Sequence, residues 1–164
     1  MWGKAKPIPD GFHTITPSLV VKDAARAMDF YKAAFGAEIK SVHRTQDGKV
    51  IHAELLIGNS IVMLNDEFPG ASSNPPQPGS SASVTLHIYL ESADETFNRA
   101  VTAGATALMP MADAFWGDRY GQIKDPFGYV WSVAVHKEDL SSKEIEKRAK
   151  EAFAKMPQAH AQAK

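Results

Sequence analysis

The sequence predicts an α+β fold made of two βαβββ modules. Three observations lead there. Asp23 to Gly36 and Glu91 to Gly104 are helix-like segments of equal spacing, each lying between one strand-like run and three more. A strand–helix–strand–strand–strand order written twice is an internal repeat. Between the copies, Phe68 to Ser81 reads FPGASSNPPQPGSS, rich in proline, glycine, serine and asparagine and without strand or helix period, which marks a linker. Finally, Phe115 to Val135 reads as a closing β-hairpin. Its arms are Tyr120 to Lys124 and Tyr129 to Val135, and Asp125-Pro126-Phe127-Gly128 is the turn. The resulting partition is an arm over 1–11, a first module over 12–66, a linker over 67–82, a second module over 83–137, and an amphipathic helix with a tail over 138–164.

Met1 to Gly11 carry prolines and glycines with little periodicity, an arm pinned by Trp2. Thr14 to Val21 follow as a strand, with Ile15, Leu19 and Val21 on one face and Thr14, Thr16 and Ser18 on the other. Asp23 caps a helix over Ala24 to Phe35 that Gly36 stops. Glu38 to Arg44, Val50 to Ile57 and Ser60 to Leu64 read as strands separated by turn signals at Gln46-Asp47-Gly48 and Gly58-Asn59. In the middle one, Ile51, Ala53, Leu55 and Ile57 face one way, His52 and Glu54 the other.

In the second module, Ser83 to Leu90 is a strand. Ser92 and Glu95 form a capping box for a helix over Ala93 to Ala103, and Thr106 to Met109 is the next strand. From Leu140 a tail helix is predicted, capped by Ser141 with Glu144. Its apolar stripe runs through Ile145, Ala149, Ala152, Phe153 and Met156, and Gln158 to Lys164 read as disordered.

Composition narrows the function classes. Of 164 residues, 44% are hydrophobic and 23% charged, with a net charge of −1. No basic face is implied, so nucleic acid is a poor partner. The absence of cysteine excludes disulfides, thiolate ligands and a cysteine nucleophile. The N-terminus has no long apolar run, which argues against a signal peptide or membrane span and for a cytoplasmic protein. No glycine-rich phosphate cradle or nucleophilic serine elbow stands out.

Three stretches carry a family likeness: LVVKDAARAMDFYKAAFGAEI (Leu19 to Ile39), HAELLIGNSIVMLND (His52 to Asp66) and GDRYGQIKDPFGYVW (Gly117 to Trp131). The doubled module with these stretches resembles the vicinal oxygen chelate superfamily of glyoxalases, bleomycin-resistance proteins and extradiol dioxygenases, and in particular its small PhnB-like two-module branch. The resemblance implies two four-stranded mixed sheets curled around a cavity with helices outside, and a homodimer whose second subunit completes the cavity. Metal-using members place His, Glu or Gln ligands at four positions. By the resemblance these fall on Thr16, Met63, Thr85 and Ser132 in this chain. Hydroxyls and a thioether are feeble donors for a divalent ion, so no cofactor is expected, with a divalent metal as the alternative.

Other residues could still build a site. His52 and Glu54 share a face, and so do His87 and Tyr89. They allow a displaced metal site from His52, Glu54 and His87, a metal-free general base, or plain hydrogen-bonded wall residues. Phe115, Trp116, Tyr120 and Tyr89 suggest a slot that stacks a flat ligand, or core packing. Trp131 should face the helices. Asp118 and Arg119 should pair locally and hold their loop. Two functions follow: binding of a small, partly aromatic or hydrophobic molecule without the usual metal, or a metal-dependent lyase, isomerase or dioxygenase using a displaced His/Glu site.

Overall fold

A computed structural model describes residues 5–155, and the elements within it follow from local chemistry. β1 (Ser18–Val21) leads into α1 (Ala24–Phe35). The helix starts where the Asp23 carboxylate accepts the Arg26 amide at 3.0 Å. It ends where Gly36 takes φ +67° and donates to the Lys32 carbonyl. β2 (Glu38–Arg44), β3 (Val50–Ile57) and β4 (Ser60–Asp66) complete the first module, with sheet order β1-β4-β3-β2. The second module repeats it: β5 (Thr85–Tyr89), α2 (Ala93–Thr102), β6 (Thr106–Asp113), β7 (Asp118–Lys124) and β8 (Val130–His136), in order β5-β8-β7-β6. In each sheet the first and last strands pair in parallel and the others antiparallel. α3 (Ser142–Lys155) follows. The predicted α+β fold of two βαβββ modules with mixed sheets and a C-terminal helix is therefore observed.

Several local expectations are corrected. The first strand begins at Ser18, not Thr14, so Ile15 lies outside it and is 86% exposed. Val50 rather than Ile51 takes the buried place in β3, because a register shift between His43 and Arg44 interrupts the alternation there. Ser92 makes no side-chain cap bond. Ser141 does cap α3, accepting the Glu144 amide at 3.3 Å. Trp2, Met156 and the tail from Gln158 lie outside the described residues.

The core lies between the helices and one face of each sheet. α1 and α2 pack together, and the Arg99 guanidinium reaches the Ala34 carbonyl at 3.4 Å. Trp131 is buried, as alternation predicts, at 4.6 Å ring to ring from Phe35 and 5.4 Å from Tyr31. Two further side chains tie the modules together. The buried Asp125 carboxylate accepts from Tyr31 Oη (2.7 Å), Trp131 Nε1 (2.8 Å) and the amides of Phe127 (2.9 Å) and Tyr129 (3.0 Å). The Tyr129 hydroxyl accepts from the Val20 amide at 3.1 Å and donates to the Val20 carbonyl at 2.9 Å, acting as a strand partner for the edge of β1. The predicted linker segment is docked. Pro75 is buried, and Pro76 sits so near Gly128 that a Cβ there would meet it at 2.6 Å.

Candidate functional site

Side chains alternate across a strand, so the sheet faces turned away from α1 and α2 are set by register. In the second sheet this open face carries Thr85, His87 and Tyr89 of β5, Ser132 and His136 of β8, Asp118, Tyr120 and Gln122 of β7, and Met109 of β6. Its rings form one connected run. Tyr89 lies 4.6 Å from His87, His87 is stacked at 6.0 Å on Tyr120, Tyr120 meets Trp116 edge-on at 5.3 Å, and Trp116 meets Phe115 at 4.9 Å. Phe153 of α3 extends the run, 5.8 Å from Phe115. The structure therefore brings together His87, Tyr89, Phe115, Trp116 and Tyr120. Beside them the buried Ser132 hydroxyl meets Tyr120 Oη and receives Gln122 Nε2, each at 3.2 Å.

At its β5 edge the face opens into a hollow of about 600 Å³. Leu86 to Leu90, from both faces of β5 and the residue after it, form one wall, His87 and Tyr89 among them, and the β3–β4 turn with Ile61, Val62 and Pro17 forms the other. That volume suits a small ligand. His52 and Glu54 are elsewhere, on the open face of the first sheet. They pair at 3.2 Å, and His52 stacks with His43 at 6.3 Å. Among the described residues no three His, Asp or Glu side chains lie close enough to hold a metal, so His52, Glu54 and His87 do not converge within the chain.

A second polar cluster borders the ring run. Asp118 is 3% exposed and accepts from Tyr89 Oη and Trp116 Nε1, both at 2.9 Å. His136 Nδ1 faces its other oxygen at 2.7 Å, while His136 Nε2 faces Asp139 at 3.0 Å. Burial pushes the Asp118 carboxyl up, but the donors from His136, Tyr89 and Trp116 outweigh it and hold the group below its usual range. The two carboxylates raise the His136 pKa, Asp118 first. Asp118 and Arg119 do not pair with each other, because neighbours on a strand face opposite ways, but each has a local partner: Asp118 accepts from Trp116 and Arg119 reaches Asp113 at 3.3 Å. Arg119 makes a bidentate pair with Asp94 of α2, both bonds 2.7 Å.

Residues 11–133 match the family model of the Glyoxalase/Bleomycin resistance protein/Dioxygenase superfamily. The chain belongs to this superfamily. An uncharacterised protein of Mycobacterium tuberculosis (strain ATCC 25618 / H37Rv) is 42% identical over 135 residues, covering 80% of this chain and 79% of the relative. Among solved structures, TioX from Micromonospora sp. ML1 is 27% identical with a TM-score of 0.60, covering 74% of this chain and 97% of that one. An Arabidopsis thaliana gene product is 28% identical at TM-score 0.58, covering 77% and 99%. A PhnB protein from Bacillus cereus, 23% identical at TM-score 0.55 with 75% and 99% covered, shares the fold.

The four residues that the resemblance puts at the superfamily's metal positions, Thr16, Met63, Thr85 and Ser132, bring weak donors for a divalent ion. Thr16 lies before β1 and donates its hydroxyl to the His13 carbonyl at 3.0 Å. Met63 sits opposite Ser18 and Glu54 and offers a thioether. Thr85 has only a hydroxyl, and the Ser132 oxygen is already engaged by Tyr120 and Gln122. None is an imidazole or carboxylate, which a divalent ion needs to offset its dehydration.

Sequence reasoning missed Gln122 and His136, and did not assign Asp118 or Phe153 to the site. Period-two alternation in β7 and β8 places Asp118, Gln122 and His136 on the face of Tyr120 and Ser132, so that signal was present. Nothing local places Phe153 beside Phe115.

Proposed function

We propose that this superfamily member captures a small, partly aromatic or hydrophobic molecule on the open face of its second sheet, without a metal at the positions that metal-using relatives employ. The observation that carries this reading is the connected run of rings from Tyr89 to Phe153, continuous with the hollow beside β5. A flat ligand stacks on such rings, and Gln122, Tyr120 and His87 supply the few polar anchors that orient it. Tyr89 is 60% and Met109 48% exposed, which supports a homodimer in which a second copy covers this face and completes the cavity.

A second reading rests on the His52–Glu54 pair: a metal-dependent lyase, isomerase or dioxygenase whose displaced site draws His52 and Glu54 from one sheet and His87 from another subunit. Metal analysis of protein purified without chelator separates the two. A stoichiometric tightly bound divalent ion overturns the first reading. The direct test of the first is a thermal-shift screen of planar antibiotics and aromatic metabolites, since a ligand of the native state raises its melting temperature. The expected result is a compound that stabilises the wild type and not Trp116→Ala. A screen without hits, or hits unaffected by the substitution, overturns it.

A further inference from the structure

A second hollow, of about 480 Å³, lies outside the site above, where the linker crosses the joint between the modules. Its walls come from four parts of the chain: the β1–α1 junction, the linker from Pro75 to Ser80, Thr106 at the start of β6, and the stretch from Lys124 to Gly128. Three cations line it: Lys22, Arg26 and Lys124. Among the described residues none of them has an ion-pair partner. The Arg26 guanidinium lies 6.0 Å from the centre of the Phe127 ring, which holds it over an apolar wall.

Two carboxylates also border the hollow, so its charge balance is three cations to two anions, and both carboxylates already accept hydrogen bonds. Asp23 accepts the Arg26 amide as the helix cap, and Asp125 is buried with its oxygens taken by Tyr31, Trp131 and two amides. The three cations are the charged donors facing the hollow, Gln77, Ser80 and Thr106 add neutral polar groups, and the prolines and Phe127 supply its apolar wall. We propose that this hollow is a second binding site, for a small anion bearing a phosphate or paired carboxylates on an apolar body. The anion bridges Lys22, Arg26 and Lys124, its body resting on Phe127 and the linker prolines. Because the three cations come from both modules, such a ligand reinforces the joint between them.

The test is thermal unfolding of the full chain with pyrophosphate or with citrate, against sodium chloride at matched ionic strength. Excluded salts stabilise without saturating, whereas site binding saturates. Saturable stabilisation by either anion, weakened at least tenfold in apparent affinity by Lys22→Gln/Lys124→Gln, is the expected result. Which anion acts assigns the site to phosphate or to carboxylate chemistry. Calorimetric titration of pyrophosphate and citrate into wild type and Arg26→Gln is the second measurement should the double variant not fold, and Arg26→Gln is expected to lose the heat. No saturable effect of either anion on the wild type, or equal effects on wild type and variants, overturns the proposal.

Discussion

The Tyr31 hydroxyl donates a 2.7 Å hydrogen bond to Asp125, joining the first module's helix to the turn of the second module's last hairpin across 94 residues of chain. Burial raises the Asp125 pKa, so its charge is a cost that its donors offset only in part. Tyr31→Phe keeps the ring packing and removes one donor. It is expected to cost about 1.5–3 kcal/mol, the range for a hydrogen bond to a charged group. Asp125→Ala strands several buried donors at once and is expected to cost more than Tyr31→Phe. Urea unfolding measures both. Equal stability of Tyr31→Phe and wild type contradicts the clasp.

Tyr129 is the second clasp. Tyr129→Phe leaves the amide and carbonyl of buried Val20 without their side-chain partner. The expected loss is about 1–3 kcal/mol, the cost of stranding a buried polar group. A change near zero in chemical unfolding would mean that water replaces the hydroxyl at this edge.

The His136 cluster predicts a pH dependence. Its folded pKa is raised above the ordinary value of 6.5 by Asp118 and Asp139. A raised base contributes stability that is fully present below the unfolded pKa and lost as pH rises through the folded one. The melting temperature of wild type should therefore exceed that of His136→Gln by more at pH 6 than at pH 9. An identical gap at both pH values removes the ion-pair account. Asp118 has a lowered pKa, so its own contribution should fade only under acid conditions, as pH falls below its ordinary 3.8.

Gly117 seats the chain that leads to α3. It adopts φ +98°, its carbonyl accepts the Lys137 and Glu138 amides, each at 3.0 Å, and a Cβ there would collide with the Glu138 carbonyl. Gly117→Ala should therefore displace this lead-in and separate Phe153 from Phe115. Hydrogen exchange in 142–155 is the readout. Exchange should rise in the variant, and unchanged protection would place the anchor of α3 elsewhere, such as the Arg148–Glu138 bridge at 3.0 Å.

Much of this fold was legible in the sequence because its signals are local. The Asp23 cap, the glycine that ends α1 and the Asp125-Pro126 turn each act within a few residues. The sequence extends the first strand too far because Thr14 to Ser18 alternates like a strand, yet the pairing with β4 reaches back only to the Pro17 carbonyl, which accepts the Met63 amide at 2.8 Å. Ile51 was misplaced because a register shift depends on the partner strand. The site was legible in part. Ring content flagged Phe115, Trp116, Tyr120 and Tyr89, and alternation put His87 with them. Phe153 and the Tyr31–Asp125 and Tyr129–Val20 contacts join residues far apart in sequence, and no periodicity encodes such pairs.

The most direct test of the central claim is calorimetric titration of a stabilising planar compound into wild type before and after chelator treatment, and into Tyr120→Ala. Tyr120 sits at the centre of the ring run and against Ser132. The account predicts equal affinity before and after chelation and at least about a tenfold loss, roughly 1.4 kcal/mol, in the variant. Binding that chelator abolishes and a divalent ion restores, or binding that Tyr120→Ala leaves unchanged, would contradict it.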